Sequence, residues 1–331
     1  MSKKTIGILL LVIIFGSGLA FYLHKRRSQV PPQQTVRIGI ANWPGFASGM
    51  VGNEKGFFKD LKLQYTVADN QPARYAAFQN GDFDILTVSV DEFAQNAERL
   101  HGTIILVTDT SYGGDGIVVR PDIKSPSQLK GKRIAFARAT PSHYLLYKVL
   151  QSEGLSPADI KQVMVDDPGQ AGQAFIGGSV DAAVTWEPFL SEVEKKGNGR
   201  VLLTTRDYPT TIVDILIASD RLAQNPDLLR KFLDGWLESV DYIKQHPDES
   251  TKIIGKGLGI KSEDAAGTMA GLRFADRQSN KSLFDKKDPS RTKLAELLKE
   301  AAAFWRSQGV ASAGPGMERQ ISESSAVYFN P

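Results

Sequence analysis

The chain has 331 residues, 41% of them hydrophobic and 23% charged, with a formal net charge of +3, which suits about two cored domains and carries no nucleic-acid footprint. It contains no cysteine and four scattered histidines. Disulfides, thiolate metal sites, cysteine nucleophiles and lipid attachment through cysteine are therefore excluded, and neither a metal site nor a cofactor is expected.

At the amino end, Thr5 to Leu23 carries no charge. As a helix rising about 1.5 Å per residue, this stretch approaches the thickness of a bilayer core. Lys3 and Lys4 precede it and Lys25-Arg26-Arg27 follow it, so charge counting leaves the orientation open. Gly18 and Ala20 offer a small-x-small cleavage site. Residues 1–27 are expected to be a signal peptide or, in preference, a retained membrane anchor with the remainder outside the cytoplasm. Residues 28–35, with Pro31-Pro32, read as a short stiff linker.

From there strands and helices alternate. Residues 36–41, 63–67, 83–88 and 104–108 have the β-branched composition of buried strands, and 72–79 and 91–100 read as covering helices. The alternation resumes with strands at 117–120, 133–137, 162–165, 182–185 and 201–205 and helices near 142–153, 170–176 and 188–195. A further strand spans 212–218, after which Asp220 and Pro226 introduce a long amphipathic helix and a largely helical remainder. Such alternation predicts mainly parallel sheets, with ligands bound where loops leave the carboxyl ends of strands.

One pattern occurs twice: Ala77-Phe78-Gln79-Asn80-Gly81-Asp82-Phe83-Asp84 and Ala174-Phe175-Ile176-Gly177-Gly178-Ser179-Val180-Asp181. Each reads as a helix end, a glycine closing it, and an aspartate opening a strand. Upstream, Asp69-Asn70-Gln71-Pro72 and Asp166-Asp167-Pro168-Gly169 both suit a helix start. The spacing suits two similar α/β lobes with a cleft between them.

Four segments carry a resemblance: Asn42-Trp43-Pro44-Gly45-Phe46, Glu54-Lys55-Gly56-Phe57-Phe58, Ser111-Tyr112-Gly113-Gly114-Asp115-Gly116-Ile117-Val118 and Asp181-Ala182-Ala183-Val184-Thr185-Trp186-Glu187-Pro188. In order and spacing they resemble solute-binding proteins of ABC importers, in the group that takes up nitrate, taurine, sulfonates and thiamine-pyrimidine precursors. The resemblance covers roughly 36–222. It implies an α/β, two-lobed type II periplasmic binding protein fold whose chain crosses twice between lobes and whose helical carboxyl-terminal part packs on the first. The expected lobes are 36–110 with 217–331, and 111–216. It also implies a periplasmic monomer, free or tethered, that closes on a small-molecule ligand and delivers it to a permease driven by a cytoplasmic ATPase.

Candidate ligand residues follow from the strand ends. Thr140, Ser142 and His143 flank a helix start, where free N–H groups and hydroxyls can hold an oxyanion, although an ordinary cap has the same composition. Thr87 and Ser89 occupy the equivalent place in the first lobe, and Asp91 reads as the cap of the next helix. Trp43 and Phe46 after the first strand, and Trp186 and Glu187 after the strand at 182–185, either wall a pocket or complete the core. Tyr112 and Gly114, in the glycine-rich 111–116, line the cleft or form a hinge. Asp115 and Asp214 suit an amine or guanidinium, or are solvated, or pair with Arg133, Arg138 or Arg206.

The ligand expected first is a small organic oxyanion such as a sulfonate. A zwitterionic or cationic nitrogen compound is the alternative, and a membrane-tethered sensor is the alternative role. An enzyme resembling the thiamine-pyrimidine synthase is disfavoured, because that family uses a cysteine-rich segment and no histidine spacing here suggests a triad.

Overall fold

The computed structural model describes residues 33–285, 288–309 and 317–330. The expected leader or anchor at 1–27 and residues 28–32 of the linker lie outside the described residues, and the linker ends earlier than expected, because Gln34 and Thr35 already belong to the first strand. Among those described, no helix is long and apolar enough to cross a membrane.

Strand β1 (Gln34–Ile40) passes through a 3-10 turn (Pro44–Ala47) into α1 (Ser48–Lys55), β2 (Leu61–Val67), α2 (Gln71–Gln79), β3 (Ile85–Ser89), α3 (Val90–Leu100) and β4 (Thr103–Ser111). The chain then builds a second sheet from β5 (Asp115–Val119), β6 (Arg133–Ala137), α4 (Pro141–Ser152), β7 (Lys161–Val165), α5 (Pro168–Ile176), β8 (Ala182–Trp186), α6 (Phe189–Lys196) and β9 (Arg200–Thr204). It returns with β10 (Val213–Ala218), followed by α7 (Asp220–Ala223), α8 (Pro226–Gln245), α9 (Pro247–Leu258), α10 (Ser262–Ala270), β11 (Leu272–Phe274), α11 (Arg277–Leu283), α12 (Lys293–Ser307) and α13 (Glu323–Phe329).

Two mixed sheets result, ordered β11-β4-β10-β3-β1-β2 and β7-β6-β8-β5-β9. The expectation of mainly parallel pairing needs correction, since five of the nine strand pairs are antiparallel. Four of the five involve β10 or β5, each of which arrives from the other sheet at the cleft end and so runs against neighbours whose carboxyl ends point there; the fifth is the short edge strand β11 against β4. Hydrophobic periodicity reports a strand's faces and not its direction.

The repeated pattern has one structural role in both sheets. Helix α2 is capped by Asn70, whose Oδ1 accepts from the Ala73 amide, and α5 by Asp167, whose Oδ1 accepts from the Gln170 amide. Gly81 and Gly178 then adopt φ of 79° and 78°, where a side chain would be strained. Each terminal aspartate clamps the neighbouring parallel strand. Asp84 accepts from the amide, Nε and Nη2 of Arg37 in β1, and Asp181 from the same three groups of Arg133 in β6. Arg221 adds a second guanidinium to Asp84, and Arg120 a second to Asp181.

Helix α8 buries Leu228, Leu229, Phe232, Leu233, Trp236, Leu237, Val240 and Ile243, a stripe of helical period that packs on α1. Helix α12 packs on α3. The carboxyl-terminal helices thus complete the core under the larger sheet. One further contact joins the two halves: α12 meets α4 through Tyr144 edge-on to Phe304 at 4.8 Å and His143 against Trp305 at 5.0 Å between ring centroids.

Candidate functional site

The chain passes between the sheets at 112–114 and again at 205–212, and the two passages are tied to each other. Ser111 Oγ and Thr205 Oγ1 lie 2.9 Å apart, and Thr205 Oγ1 also accepts from the Gly113 amide at 2.8 Å. The Ser111 amide donates to the Ile212 carbonyl, and Arg206 Nε to the Tyr112 carbonyl. The passage is pinned to the larger half as well, because the amides of Tyr112 and Gly114 both donate to the Gly271 carbonyl. Backbones approach so closely here that a Cβ on Gly271 would stand 2.5 Å from the Gly114 nitrogen.

Between the sheets lies a cleft of about 890 Å³. Its walls come from both halves, at the ends the alternation predicts: the turn after β1, the starts of α2, α4 and α5, and the end of β8. Trp43 and Trp186 face each other across it, ring centroids 5.7 Å apart and planes tilted by 31°. Phe46 and Phe189 extend the apolar lining.

Two residues lining this space, one from each half, carry an unpartnered hydrogen-bond donor. Arg74 is buried at 3% exposure; its Nη1 donates to the Ala68 carbonyl, but its Nε has no partner. Ser142 Oγ, at 1% exposure, has none either. It stands in the first turn of α4, where Thr140 turns its hydroxyl back to the Ala137 carbonyl and leaves the helix without a side-chain cap. Free amides and the positive end of a helix dipole meet the cleft there.

The floor of the cleft is acidic. Asp214 of β10 stands directly opposite Asp109 of β4 in the strand register, and Asp115 opens β5 beside them. Asp109 and Asp214 are at 0% and 3% exposure, and burial first, then their mutual proximity, raises Asp214 well above the usual carboxylate range. Asp109 is held from below by Thr108 Oγ1 at 2.9 Å and the Trp43 indole N–H at 3.4 Å. Burial pushes Asp115 up to about 7, with the Ser111 hydroxyl opposing and the Asp109 charge adding. Its Oδ2 has no hydrogen-bond partner. Two of the three arginines offered as partners are engaged elsewhere, Arg133 by Asp181 and Arg206 by the Tyr112 carbonyl, and Arg138 lines the cleft.

Of the candidate residues, the cleft brings together Trp43, Phe46, Asp115, Thr140, Ser142, Trp186, Glu187 and Asp214. Glu187 spends its carboxylate on α6, accepting from the amide and hydroxyl of Ser191. Thr87, Ser89, Tyr112, Gly114 and His143 are not among the lining residues. Thr87 is fully buried within β3, opposite Leu216. Ser89, rather than Asp91, caps α3, exchanging bonds with Glu92 in a capping box. Tyr112 lies under the Arg273 guanidinium, 3.3 Å from the ring centroid. Gly114 packs against Trp43 and Gly271. His143 is buried among Phe136, Tyr147 and Trp305, its Nδ1 accepting from the Ala139 amide, and burial lowers it to about 4.

Arg74, Asp109 and Thr205 were missed. Arg74 sits in a helix where an arginine ordinarily reads as solvated. Asp109 did carry a signal, a lone charge closing the apolar run of β4. A second, smaller cavity of about 260 Å³ lies outside the cleft, between the starts of α3 and α4 and helix α12, and includes Asp91, Tyr144, Lys148 and Glu300. Among the described residues no His, Cys, Asp and Glu grouping suits a metal ion.

Residues 43–250 match the family model described as NMT1/THI5 like. A chain of Brucella abortus (strain 2308), described as a binding protein, is 27% identical over 233 residues, 68% of this chain and 72% of that one. A Bacillus subtilis (strain 168) protein described as aliphatic sulfonates-binding is 26% identical over 265 residues, 76% of this chain and 77% of its own. The crystal structure of the periplasmic aliphatic sulphonate binding protein SsuA from Escherichia coli superposes with a TM-score of 0.70 at 22% identity, covering 88% of this chain and 92% of that one. The expected fold, two α/β lobes joined by two crossings, is the one found.

Proposed function

Since the chain belongs to the NMT1/THI5-like family, we propose that it is the extracytoplasmic solute-binding component of an ABC importer, binding a small organic solute between its lobes without chemical change. The lobes in this reading are 36–111 with 213–331, and 112–212. The second boundary falls before β10 because the whole of that strand pairs within the larger sheet. The ligand's oxyanion, a sulfonate being the class named for the Bacillus subtilis relative, would sit between the start of α4 and Arg74. The observation that carries this is the pair of buried, unpartnered donors, Arg74 Nε and Ser142 Oγ, supplied to one cleft by opposite lobes. A ligand held by both gains contacts available only when the lobes meet, and so shifts the population toward closure. The permease, its ATPase and the periplasmic side of the membrane belong to the same reading.

The test is a titration of the purified chain with alkyl sulfonates, followed by small-angle scattering and by ATPase assay with a reconstituted ABC permease from the same organism. Compaction on binding and solute-dependent ATPase stimulation are expected. Binding without either would favour a sensor over a transport component.

A further inference from the structure

We infer that the smaller cavity is a second ligand site, one that takes a small organic amine as its ammonium ion on Asp91 and, resting on the solute-binding reading, tunes the grip of the cleft on its solute. The cavity is separate from the cleft, with which it shares no lining residue. Asp91 lines it at 1% exposure; its Oδ1 accepts from the Ser89 hydroxyl at 2.7 Å, and its Oδ2 has no partner. A carboxylate oxygen withdrawn from water without a donor carries a desolvation penalty that a charged donor from a ligand relieves. Burial, and then the Glu92 charge, pushes Asp91 up to about 8, so a proton occupies the place an ammonium would take. Lys148, the one basic residue of the lining, is paired with Glu300, which leaves Asp91 and Asp207 to make the space acidic. Leu297, Ala301 and Tyr144 supply apolar surface for the carbon part of the amine. At about 260 Å³ the space exceeds the roughly 30 Å³ share of a water and the roughly 150 Å³ that admits benzene, so an amine of about six heavy atoms fits.

The position links such a ligand to the lobes. Asp91, Leu297 and Ala301 come from the larger half, through α3 and α12, and Tyr144 and Thr211 from the smaller, through α4 and the second passage. Three ties already converge here: Lys148 with Glu300, Tyr144 edge-on to Phe304 at 4.8 Å, and the Tyr208 hydroxyl 2.7 Å from Ser152 Oγ, which holds the passage to α4. The chain also runs directly from one space to the other, since Asp91 lines the cavity and Glu92 the cleft, Thr211 the cavity and Ile212 the cleft. An occupant touching both halves favours the arrangement that gives the cavity this shape, the one in which Trp43 meets Trp186, and so favours solute binding between them.

Calorimetric titration of the full chain in detergent tests this with cyclopentylammonium, its uncharged counterpart cyclopentanol, and ethanesulfonate. Cyclopentylammonium is expected to bind about 10-fold or more tightly than cyclopentanol. At saturation it should tighten ethanesulfonate by about 5-fold or more, and ethanesulfonate should return the same factor to the amine. Asp91→Asn is expected to weaken cyclopentylammonium by about 30-fold or more, and Ala301→Leu, which fills the cavity, to do at least as much, while both keep the wild-type affinity for ethanesulfonate alone. Melting temperatures measured alongside check that each variant is folded. Cyclopentylammonium bound no better than cyclopentanol, bound undiminished by both variants, or displaced by ethanesulfonate overturns the cavity site, and the solute-binding reading then stands or falls on ethanesulfonate by itself. Amine binding that both variants weaken but that leaves ethanesulfonate affinity unchanged keeps the site and overturns its regulatory role. If ethanesulfonate fails to bind while the variants still weaken the amine, the cavity site holds and the sulfonate reading of the cleft falls.

Discussion

The indole of Trp43 meets that of Trp186 at 5.7 Å between centroids, one carried by each sheet, so the contact exists only while the lobes are together. Their burial differs, and so should the effects of removing them. Trp43 is 4% exposed and Trp43→Ala should cost about 3–5 kcal/mol of stability. Trp186 is half-buried, and Trp186→Ala should leave the denaturation midpoint nearly unchanged while weakening solute binding by roughly 10-fold or more. Denaturant titration beside ligand titration separates the two outcomes.

Thr205 serves both crossings at once through Ser111 Oγ and the Gly113 amide. Thr205→Val keeps the shape and deletes the hydroxyl, taking a partner from the buried Ser111 hydroxyl and the half-buried Gly113 amide at a cost of about 1–3 kcal/mol. Loss of the tie should also broaden the distribution of lobe separations in the ligand-free protein. Unchanged scattering from the variant would show that the crossings are held by backbone contacts alone.

The two aspartates of the repeat should differ in weight. Asp84 is almost wholly buried and serves two guanidiniums, while the Asp181 side chain is 23% exposed. Asp84→Ala should cost about 2–4 kcal/mol, a buried-pair figure discounted because both arginines are nearly half exposed, and Asp181→Ala about 1 kcal/mol. Burial would raise Asp84, but the bonds from Arg37 and Arg221 hold it below its ordinary value; Arg133 holds Asp181 at about 2. Stability from such lowered carboxylates is present above the unfolded value near pH 4 and is lost as pH falls toward 2. Acid unfolding should therefore begin at higher pH in both variants.

Between pH 6.5 and 8 the sign reverses. Burial raises Asp115 to about 7 and Asp91 to about 8, and pushes Asp214 well above its ordinary value. Their unfolded counterparts lose their protons near pH 4, so the native state binds more protons through this window and stability falls as pH rises. Glu92 and Ser89 face Asp91, and Asp109 and Ser111 face Asp115. His143, lowered to about 4 by burial first and Arg138 second, acts oppositely, but only below its unfolded value near 6.5. The ligand-free protein should thus melt lower at pH 8 than at pH 6.5, and Asp115→Asn should flatten the slope. A slope identical in the variant would place the proton elsewhere.

Gly271→Ala tests how closely the first crossing is seated. Its Cβ would meet the Gly114 nitrogen at 2.5 Å and the Gly114 Cα at 2.6 Å, backbone atoms that no side-chain rotation can move. A loss of about 2–3 kcal/mol is expected, with solute affinity falling as the glycine-rich passage shifts. Retained affinity at reduced stability would dissociate seating from binding.

The repeat was legible because each of its parts acts locally: a cap, a proline, a left-handed glycine, an aspartate before a strand. Asn70 and Asp167 cap their helices whatever surrounds them. The placement of Trp43, Trp186 and Ser142 at the cleft followed from strand ends. What was not legible depends on register and direction. Asp109 faces Asp214 only because β4 and β10 run antiparallel with those two in register. Thr87 and His143 have residue types suited to a ligand, but their side chains point into packed surroundings, which composition does not disclose. Arg74 was hidden by the opposite error, a charged residue assumed to be wet.

The aromatic seam of Tyr144 and His143 with Phe304 and Trp305 bears on traffic through the cleft. Two straps alone would let one lobe both swing and twist against the other; a third attachment takes some of that freedom away. Stacked and edge-on rings are each worth about 0.5–1.5 kcal/mol beyond their burial, so gaping wide means peeling them apart. A cleft hung in this way opens through a narrower arc than two straps alone would allow.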